Sequence, residues 1–370
     1  MGVPVSDTPL GMMACDPPQY HDRSSTARIM WAVTLCLVPA AGWGVYLYGS
    51  RALLVLAAAV GSAVVCEAAA ARLASRATLR DGSAVLCGLL VGMSLSPAVP
   101  LFIPVVASAF AILVVKWSFG GLGGNWMNPA LAGRVFVAFS WPGFMATWVT
   151  PRTLAGVDGL AAATPLGVVQ SAGPDRLAAP LTLLREAGYP VSAIDGSVTS
   201  WLNVHVLGPI GVNLPSGYVD LFVGNVAGSI GEASALLLLL GTIVLFARRI
   251  ITWHIPAALF IGFAVCTSAF GGLETEQGLF AGDVLFSVLT GGFVLATFYM
   301  ATDPVTSPLT GAGMLIYGAG AGILTFVLRA YGQFPESVAL AIILMNTVVP
   351  VIDRFCTPRR SGRRKTRHAS

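Results

Sequence analysis

The sequence predicts an all-α integral membrane protein with about ten transmembrane helices. Three observations carry this. Only 38 of 370 residues are charged (21 basic, 17 acidic), or 10%, against roughly 25% in a soluble domain. Hydrophobic residues make up 55%, and the mean hydropathy is +0.78. The apolar residues also gather in runs approaching the ~20 residues that cross the hydrocarbon of a bilayer. So few charges do not cover a soluble surface of this size. Soluble globular, disordered and nucleic-acid-binding classes are therefore set aside.

In chain order the runs are 29–48, 52–71, 83–96, 99–117, 128–146, 233–247, 252–270, 283–301, 313–330 and 336–352. The third and sixth are short and read as tilted or broken. Basic residues orient the set. Arg23 and Arg28, then Arg72, Arg76 and Arg80, then Lys116, then Arg248 and Arg249 all fall in loops on one side. Before the long loop, the other side holds only Arg51. The positive-inside rule puts both termini in the cytoplasm, which requires an even number of spans. The net charge of +4 is local. The last 17 residues hold seven basic groups and no acid, leaving 14 basic against 17 acidic over 1–353. Such a tail marks a cytoplasmic terminus, with lipid headgroups as a secondary contact. The first 20 residues are polar and lack the order of a cleavable signal.

This divides the chain into an N-terminal membrane half (1–146, spans 1–5), an extracytoplasmic segment (147–220), a C-terminal membrane half (221–353, spans 6–10) and a basic cytoplasmic tail (354–370). Spans 3–5 and 8–10 share an order. Each has an acid (Asp81; Asp283), an apolar span, a Pro-rich turn (96–100; 303–308), a further span, and an Asn near a Pro (Asn128; Asn346). Five spans separate the units, so the expectation is a 5+5 inverted repeat with broken or re-entrant segments. Six cysteines, none in a C-x-x-C pair, read as small buried hydrophobes. No metal site is expected.

Three segments carry chemistry. Gly120 to Arg134 is Gly-rich and leads through Asn128-Pro129 into span 5. A helix start approached by bare backbone suits an anionic or strongly polar group; a re-entrant hairpin that needs Gly only for packing reads equally well. Asp158 to Leu166 puts Thr164 among Ala, Gly and Pro. It is either a plain loop or a hydroxyl open to a modifying enzyme. Met300 to Thr310 gathers Asp303 and several hydroxyls where span 8 must stop. It reads as an Asp-Pro turn with helix caps, or as an ion or cofactor contact. Arg134, deep in span 5, should pair with an anion or line a cavity. Glu67 lies near Arg72 and is expected to reach toward water. Gly318-Ala-Gly-Ala-Gly322 reads as helix-packing surface.

Taken together, several stretches resemble one family. These are Leu122-Gly-Gly-Asn-Trp-Met-Asn-Pro-Ala-Leu-Ala-Gly-Arg134, Asp158 to Leu166, Gly228-Ser-Ile-Gly-Glu-Ala-Ser-Ala235, Met300-Ala-Thr-Asp-Pro-Val-Thr-Ser-Pro308 and Leu344 to Asp353. The sequence resembles the RnfD/NqrB family of membrane subunits of ion-translocating redox complexes. The Tyr331-Gly-Gln-Phe-Pro-Glu336 turn and the chain length are more similar to the RnfD branch. The resemblance implies a subunit of an Rnf-type ferredoxin:NAD oxidoreductase, a translocase in the cell inner membrane with no independent activity. Its partners would be the other Rnf subunits, membrane lipid and a flavin transferase.

The resemblance further implies FMN esterified through its phosphate to the Thr of a D-x-x-[S/T]-x-A-T pattern. Thr164 matches it, with Asp158 and Ala163 in register; Ala161 stands where Ser or Thr is usual. It also suggests a second, non-covalent flavin, riboflavin, within the spans. Asn128, Arg134 and Asp303 are the further candidate cofactor contacts, and no catalytic side chain is assigned. Electrons would pass between redox centres, coupled to movement of Na⁺ or H⁺. Two alternatives stand beside this: an NqrB-like subunit of a Na⁺-pumping NADH:quinone reductase, and a cofactor-free secondary transporter or channel.

Overall fold

The computed structural model describes residues 25–75, 78–152, 163–171, 179–189, 191–273, 278–332 and 337–356. These residues form helices and connecting turns, with no strand element among them. The first half comprises α1 (Thr26–Tyr48), α2 (Ser50–Leu73), α3 (Ser83–Met93), α4 (Phe102–Trp117), α5 (Pro129–Ser140) and α6 (Pro142–Met145). The middle holds α7 (Pro165–Ser171), α8 (Pro180–Glu186), α9 (Ala193–Leu202) and α10 (Tyr218–Val223). The second half comprises α11 (Ala235–Ala247), α12 (His254–Phe270), α13 (Val284–Leu289), α14 (Phe293–Leu295, widening into a π-turn to Met300), α15 (Gly311–Ala330) and α16 (Val338–Phe355).

Four of these helices, α1, α2, α15 and α16, are long and apolar enough to cross a membrane, and α3, α4, α5, α11 and α12 are shorter apolar helices. Their outward faces carry Leu35, Leu53, Val65, Ile243, Ile261 and Val265, all exposed. A fold with apolar side chains on both its inside and its outside is built for lipid. The chain is a multi-pass membrane protein.

Local chemistry sets the ends of the helices. Ser25 caps α1 through the Arg28 N–H (3.3 Å), and Thr310 caps α15 through the Gly313 N–H (3.1 Å). Gly49, at φ 76, separates α1 from α2, a conformation only glycine adopts cheaply. The run 283–301, expected to be one span, is broken. α13 stops at Leu289, and Gly291 and Gly292 take φ 68 and 65 before α14 begins. Likewise the run 128–146 ends its first helix at Ser140, before Pro142.

The paired acids of the expected repeat behave alike. Asp81 accepts from the Ser83 N–H (2.8 Å) and Asp283 from the Phe286 N–H (2.9 Å), each at a helix start. The paired asparagines do not. Asn128 precedes α5, whereas Asn346 lies within α16 and accepts a hydrogen bond from Tyr317 (2.6 Å).

α1 rises about 34 Å at 1.5 Å per residue and defines two ends of the bundle. Its last turns hold the middle segment: Trp43 Nε1 donates to the Val223 carbonyl (2.9 Å) and Tyr48 Oη to that of Val226 (2.8 Å). We call this the distal end and the start of α1 the proximal end. The segment 147–220, expected as a loop, contains short helices with a small core of their own. Leu166, Leu181, Leu184, Tyr218, Leu221, Val226 and Phe286 cluster there.

The glycine run of α15 is packing surface, as its spacing predicts. A Cβ on Gly318 or Gly322 would lie 2.6 or 2.3 Å from a backbone oxygen of α12, and one on Gly320 would strike Met345 of α16. The five described cysteines are free; Cys87 is buried and the others half-buried.

Candidate functional site

Two cavities lie at opposite ends of the bundle. The proximal one spans about 800 Å³, counting the space through which it opens to the surroundings. Its walls join the Gly-rich segment (Leu122, Asn125, Asn128) to the turn after α14 (Thr302, Asp303), and add Ser83, Cys87 and Lys116. Two of the three chemical segments recognised in the sequence therefore meet in one place.

Asn128 organises this meeting. Its Oδ1 accepts from the N–H groups of Ala130 (3.0 Å) and Leu131 (3.3 Å), capping α5, while Pro129 takes the first helical position. Its Nδ2 donates to the Met300 carbonyl (3.0 Å), across 172 residues of chain. One side chain thus fixes a helix start and ties it to the other membrane half. Asn128→Ala removes both contacts and is expected to cost about 1–2 kcal/mol, the range for a lost cap. Asn128→Asp keeps a cap acceptor but buries a carboxylate oxygen against the Met300 carbonyl, which is unfavourable. Thermal unfolding in detergent should therefore place both variants below wild type.

Asp303 is part of a turn and of the cavity. Its Oδ1 accepts from the Val305 N–H (3.2 Å) and its Oδ2 from the Thr306 hydroxyl (3.4 Å). Burial holds its carboxyl above the usual carboxylate range, against the pull of those two donors.

Glu67 corrects the expectation that it reaches water. It is fully buried, and its Oε2 pairs with Lys116 Nζ at 2.9 Å. Thr78 Oγ1 donates to its Oε1 (2.7 Å) and Trp117 Nε1 to its Oε2 (2.9 Å). Lys116 also donates to Ser83 Oγ (2.7 Å). Arg72 is near Glu67 in sequence, but the partner comes from α4, across the helix packing. A lone acid and a lone base in apolar spans were the available signal.

Arg134 does not reach the proximal cavity. Six residues beyond Asn128, about 9 Å along α5, its Nε donates to the Ser94 carbonyl (2.9 Å), where α3 ends. It lines a separate space of about 310 Å³ with Ser229, Gly291 and Gly292. Helix breaks thus surround the guanidinium, which matches the expectation of a cavity-lining Arg.

Thr164 lies at the distal end, immediately before α7. Its small neighbours predict an open hydroxyl, but the residue is only 7% exposed. Its Oγ1 accepts from the Gly167 N–H (3.0 Å), forming the first turn of α7. Tyr189 fastens the preceding residue. Its Oη donates to the carbonyl of Ala163 (3.3 Å) and accepts from the Ala227 N–H (2.7 Å). Burial raises the Tyr189 phenol well above its usual pKa, so it remains a donor. Ala163 itself is exposed, and Asp158 lies outside the described residues.

The distal cavity, about 610 Å³ counting the space open to its surroundings, has Leu166, two residues after Thr164, on its wall. Leu166, Val169 and Gln170 of α7 line it with Phe263, Thr267 and Arg329. Sequence reasoning singled out neither Thr267 nor Arg329. Arg329, a cation in the last turn of an apolar helix, was the signal that could have found the site. The length of α15, about 30 Å, separates the two cavities: the helix follows the Asp303 turn and carries Arg329 in its last turn.

The sequence has relatives along nearly its whole length. The NQR2, RnfD, RnfE family matches residues 14–362. The D subunit of the proton-translocating ferredoxin:NAD(+) oxidoreductase complex of Clostridium ljungdahlii is 38% identical over 349 residues, covering 94% of this chain and 95% of that one. The D subunit of the ion-translocating oxidoreductase complex of Stutzerimonas stutzeri is 38% identical over 362 residues, covering 92% and 93%. The D subunit of the Na(+)-translocating ferredoxin:NAD(+) oxidoreductase complex of Acetobacterium woodii is 36% identical over 357 residues, covering 95% and 96%. On matches of this extent, the chain belongs to the NQR2, RnfD, RnfE family.

Proposed function

We propose that this chain is the D-type membrane subunit of an ion-translocating ferredoxin:NAD⁺ oxidoreductase complex, and that it carries FMN as a phosphoester on Thr164. It acts within that complex and has no separate activity. The observation that carries the flavin reading is that α7, which starts directly after Thr164, forms a wall of the distal cavity through Leu166, Val169 and Gln170. In this reading the chain crosses the inner membrane ten times in two inverted halves. Both termini are cytoplasmic and the distal end faces outward. The distribution of basic residues and the like-placed Asp81 and Asp283 support that map.

A second, non-covalent flavin fits the proximal cavity. Its polar lining, Lys116, Ser83 and Asn125, is set among apolar walls, and each already donates within the protein: Lys116 to Glu67 and Ser83, Ser83 to Asp81, Asn125 to the Met127 carbonyl. Asp303 and Asn128 would border it. When bound, a flavin supplies transfer of one electron at a time. The chain's own residues hold the two sites apart and keep Lys116 fixed by Glu67. Arg134, between the helix breaks, is assigned to the space between the sites and not to either flavin.

The test is in-gel flavin fluorescence after denaturing electrophoresis of chain made with its flavin transferase. Wild type should fluoresce and Thr164→Ala should be dark, an all-or-none difference. A dark wild type sinks the covalent reading. Purified complex in which this chain shows no flavin absorbance would replace it with the cofactor-free transporter. A reporter inserted in 171–205 should read as extracytoplasmic, and a cytoplasmic signal overturns the map.

A further inference from the structure

The geometry points to the distal cavity as the seat of the isoalloxazine ring borne by Thr164, with Arg329 as the positive charge set against that ring. The inference rests on the Thr164 reading and adds what neither the sequence nor the family comparison assigns: where the ring goes and which side chain tunes it.

Four observations converge. First, the cavity starts within reach. Leu166, two residues after Thr164, is already on its wall, and Val169 and Gln170 extend that wall along α7. A five-carbon ribityl chain on the phosphate has little distance to cover. Second, the cavity is lined for a flat aromatic ring. Phe263, Phe286 and Phe326 contribute faces or edges, the arrangement in which aromatic rings stack favourably. Third, the cavity holds an unmet polar atom. Thr267 is 4% exposed, and its Oγ1 is buried without a hydrogen-bond partner among the described residues. Buried hydroxyls are rarely left so, and a ring carbonyl or N–H would complete it.

The fourth observation is the charge. Arg329 is 6% exposed, lies 5.1 Å over the Phe263 ring, and donates through Nη1 and Nη2 to the carbonyls of Ser287 and Thr290. Those carbonyls fix the orientation of the guanidinium. Asp283, on the same wall, keeps its charge but points its oxygens at neutral donors: its Oδ1 caps α13 and its Oδ2 accepts from Tyr218. Gln170 Nε2 donates to the Arg329 carbonyl (3.1 Å), so the helix after the acceptor is latched to the residue carrying the charge. The other space, about 330 Å³ beside Tyr189, is smaller and, like the distal cavity, has a carboxylate (Asp220) on its wall. It lacks a buried cation among the described residues to meet a ring that becomes more negative on reduction.

A fixed positive charge beside the ring favours the reduced form, so Arg329 acts as a positioning and potential-setting residue. The experiment uses the assembled complex, matured with its transferase, with Arg329→Gln, Arg329→Lys and Val169→Trp. Each is read as the difference from the same variant carrying Thr164→Ala, which isolates this flavin's signal. The expected result keeps the fluorescent band in all three variants. The midpoint potential of the covalent flavin falls in Arg329→Gln and stays near wild type in Arg329→Lys. Val169→Trp, which adds bulk to the cavity from α7, shifts the absorption band and raises quenching by iodide. Intact bands with unchanged potential, absorption and quenching in Arg329→Gln and Val169→Trp overturn the inference while leaving Thr164 as acceptor. A dark wild-type band removes the acceptor reading itself.

Discussion

Glu67→Ala is expected to destabilise the protein by about 3–5 kcal/mol, the usual penalty for stranding one member of a buried ion pair. Lys116 is 2% exposed and would keep only Ser83 Oγ as a strong partner. Thr78 and Trp117 would each lose the acceptor they now share. The loss comes mainly from the uncompensated ammonium and less from the attraction removed. Replacing both charges, Glu67→Leu with Lys116→Met, should therefore recover most of the stability. Unfolding of the purified chain in detergent measures it. A double variant as unstable as Glu67→Ala would show that the pair is not the unit that matters. Because Lys116 also lines the proximal cavity, Glu67→Ala should loosen any flavin bound there as well.

Gly224→Ala should cost on the order of 2–5 kcal/mol, the sum of a left-handed backbone penalty and overpacking. Gly224 ends α10 at φ 89, and an added Cβ would stand 1.3 Å from the Ala233 carbonyl oxygen. No rotamer relieves that contact; the backbone must move. The residues that move are those that hold the distal segment to α1, because Val223 and Val226 flank the glycine and accept from Trp43 and Tyr48. The expected signature is a lowered unfolding midpoint together with faster amide exchange in α7–α10. A Gly224→Ala protein with wild-type exchange in that segment would contradict the tie.

Much of this fold is legible in the chain. Apolar runs and scarce charge announce a lipid-embedded bundle because the requirement is compositional and local. The Asn128-Pro129 start of α5 is also local, a cap followed by the residue that fits the first turn. What escapes depends on contacts between distant segments. Sequence sets Glu67 beside Arg72 because it displays neighbours along a helix, whereas Lys116 arrives from α4. The Asn128–Met300 tie joins the two halves and leaves no local trace. The break at Gly291-Gly292 is written as two adjacent glycines but hidden inside a continuous apolar run. Thr164 shows the same limit from the other side. Its flanking small residues suggest access, but access depends on what packs over it, and Tyr189 and the distal core are far along the chain.

The burial of Thr164 bears on the order of events in the protein's making. A hydroxyl 7% exposed and already engaged by the Gly167 N–H offers no face to another macromolecule. For a chain that receives its cofactor there, attachment belongs to biogenesis, before α7 docks. Under the proposed flavin reading, a chain that closes unmodified would withdraw Thr164 from a transferase, and one modified in time would carry its cargo inward as it folds.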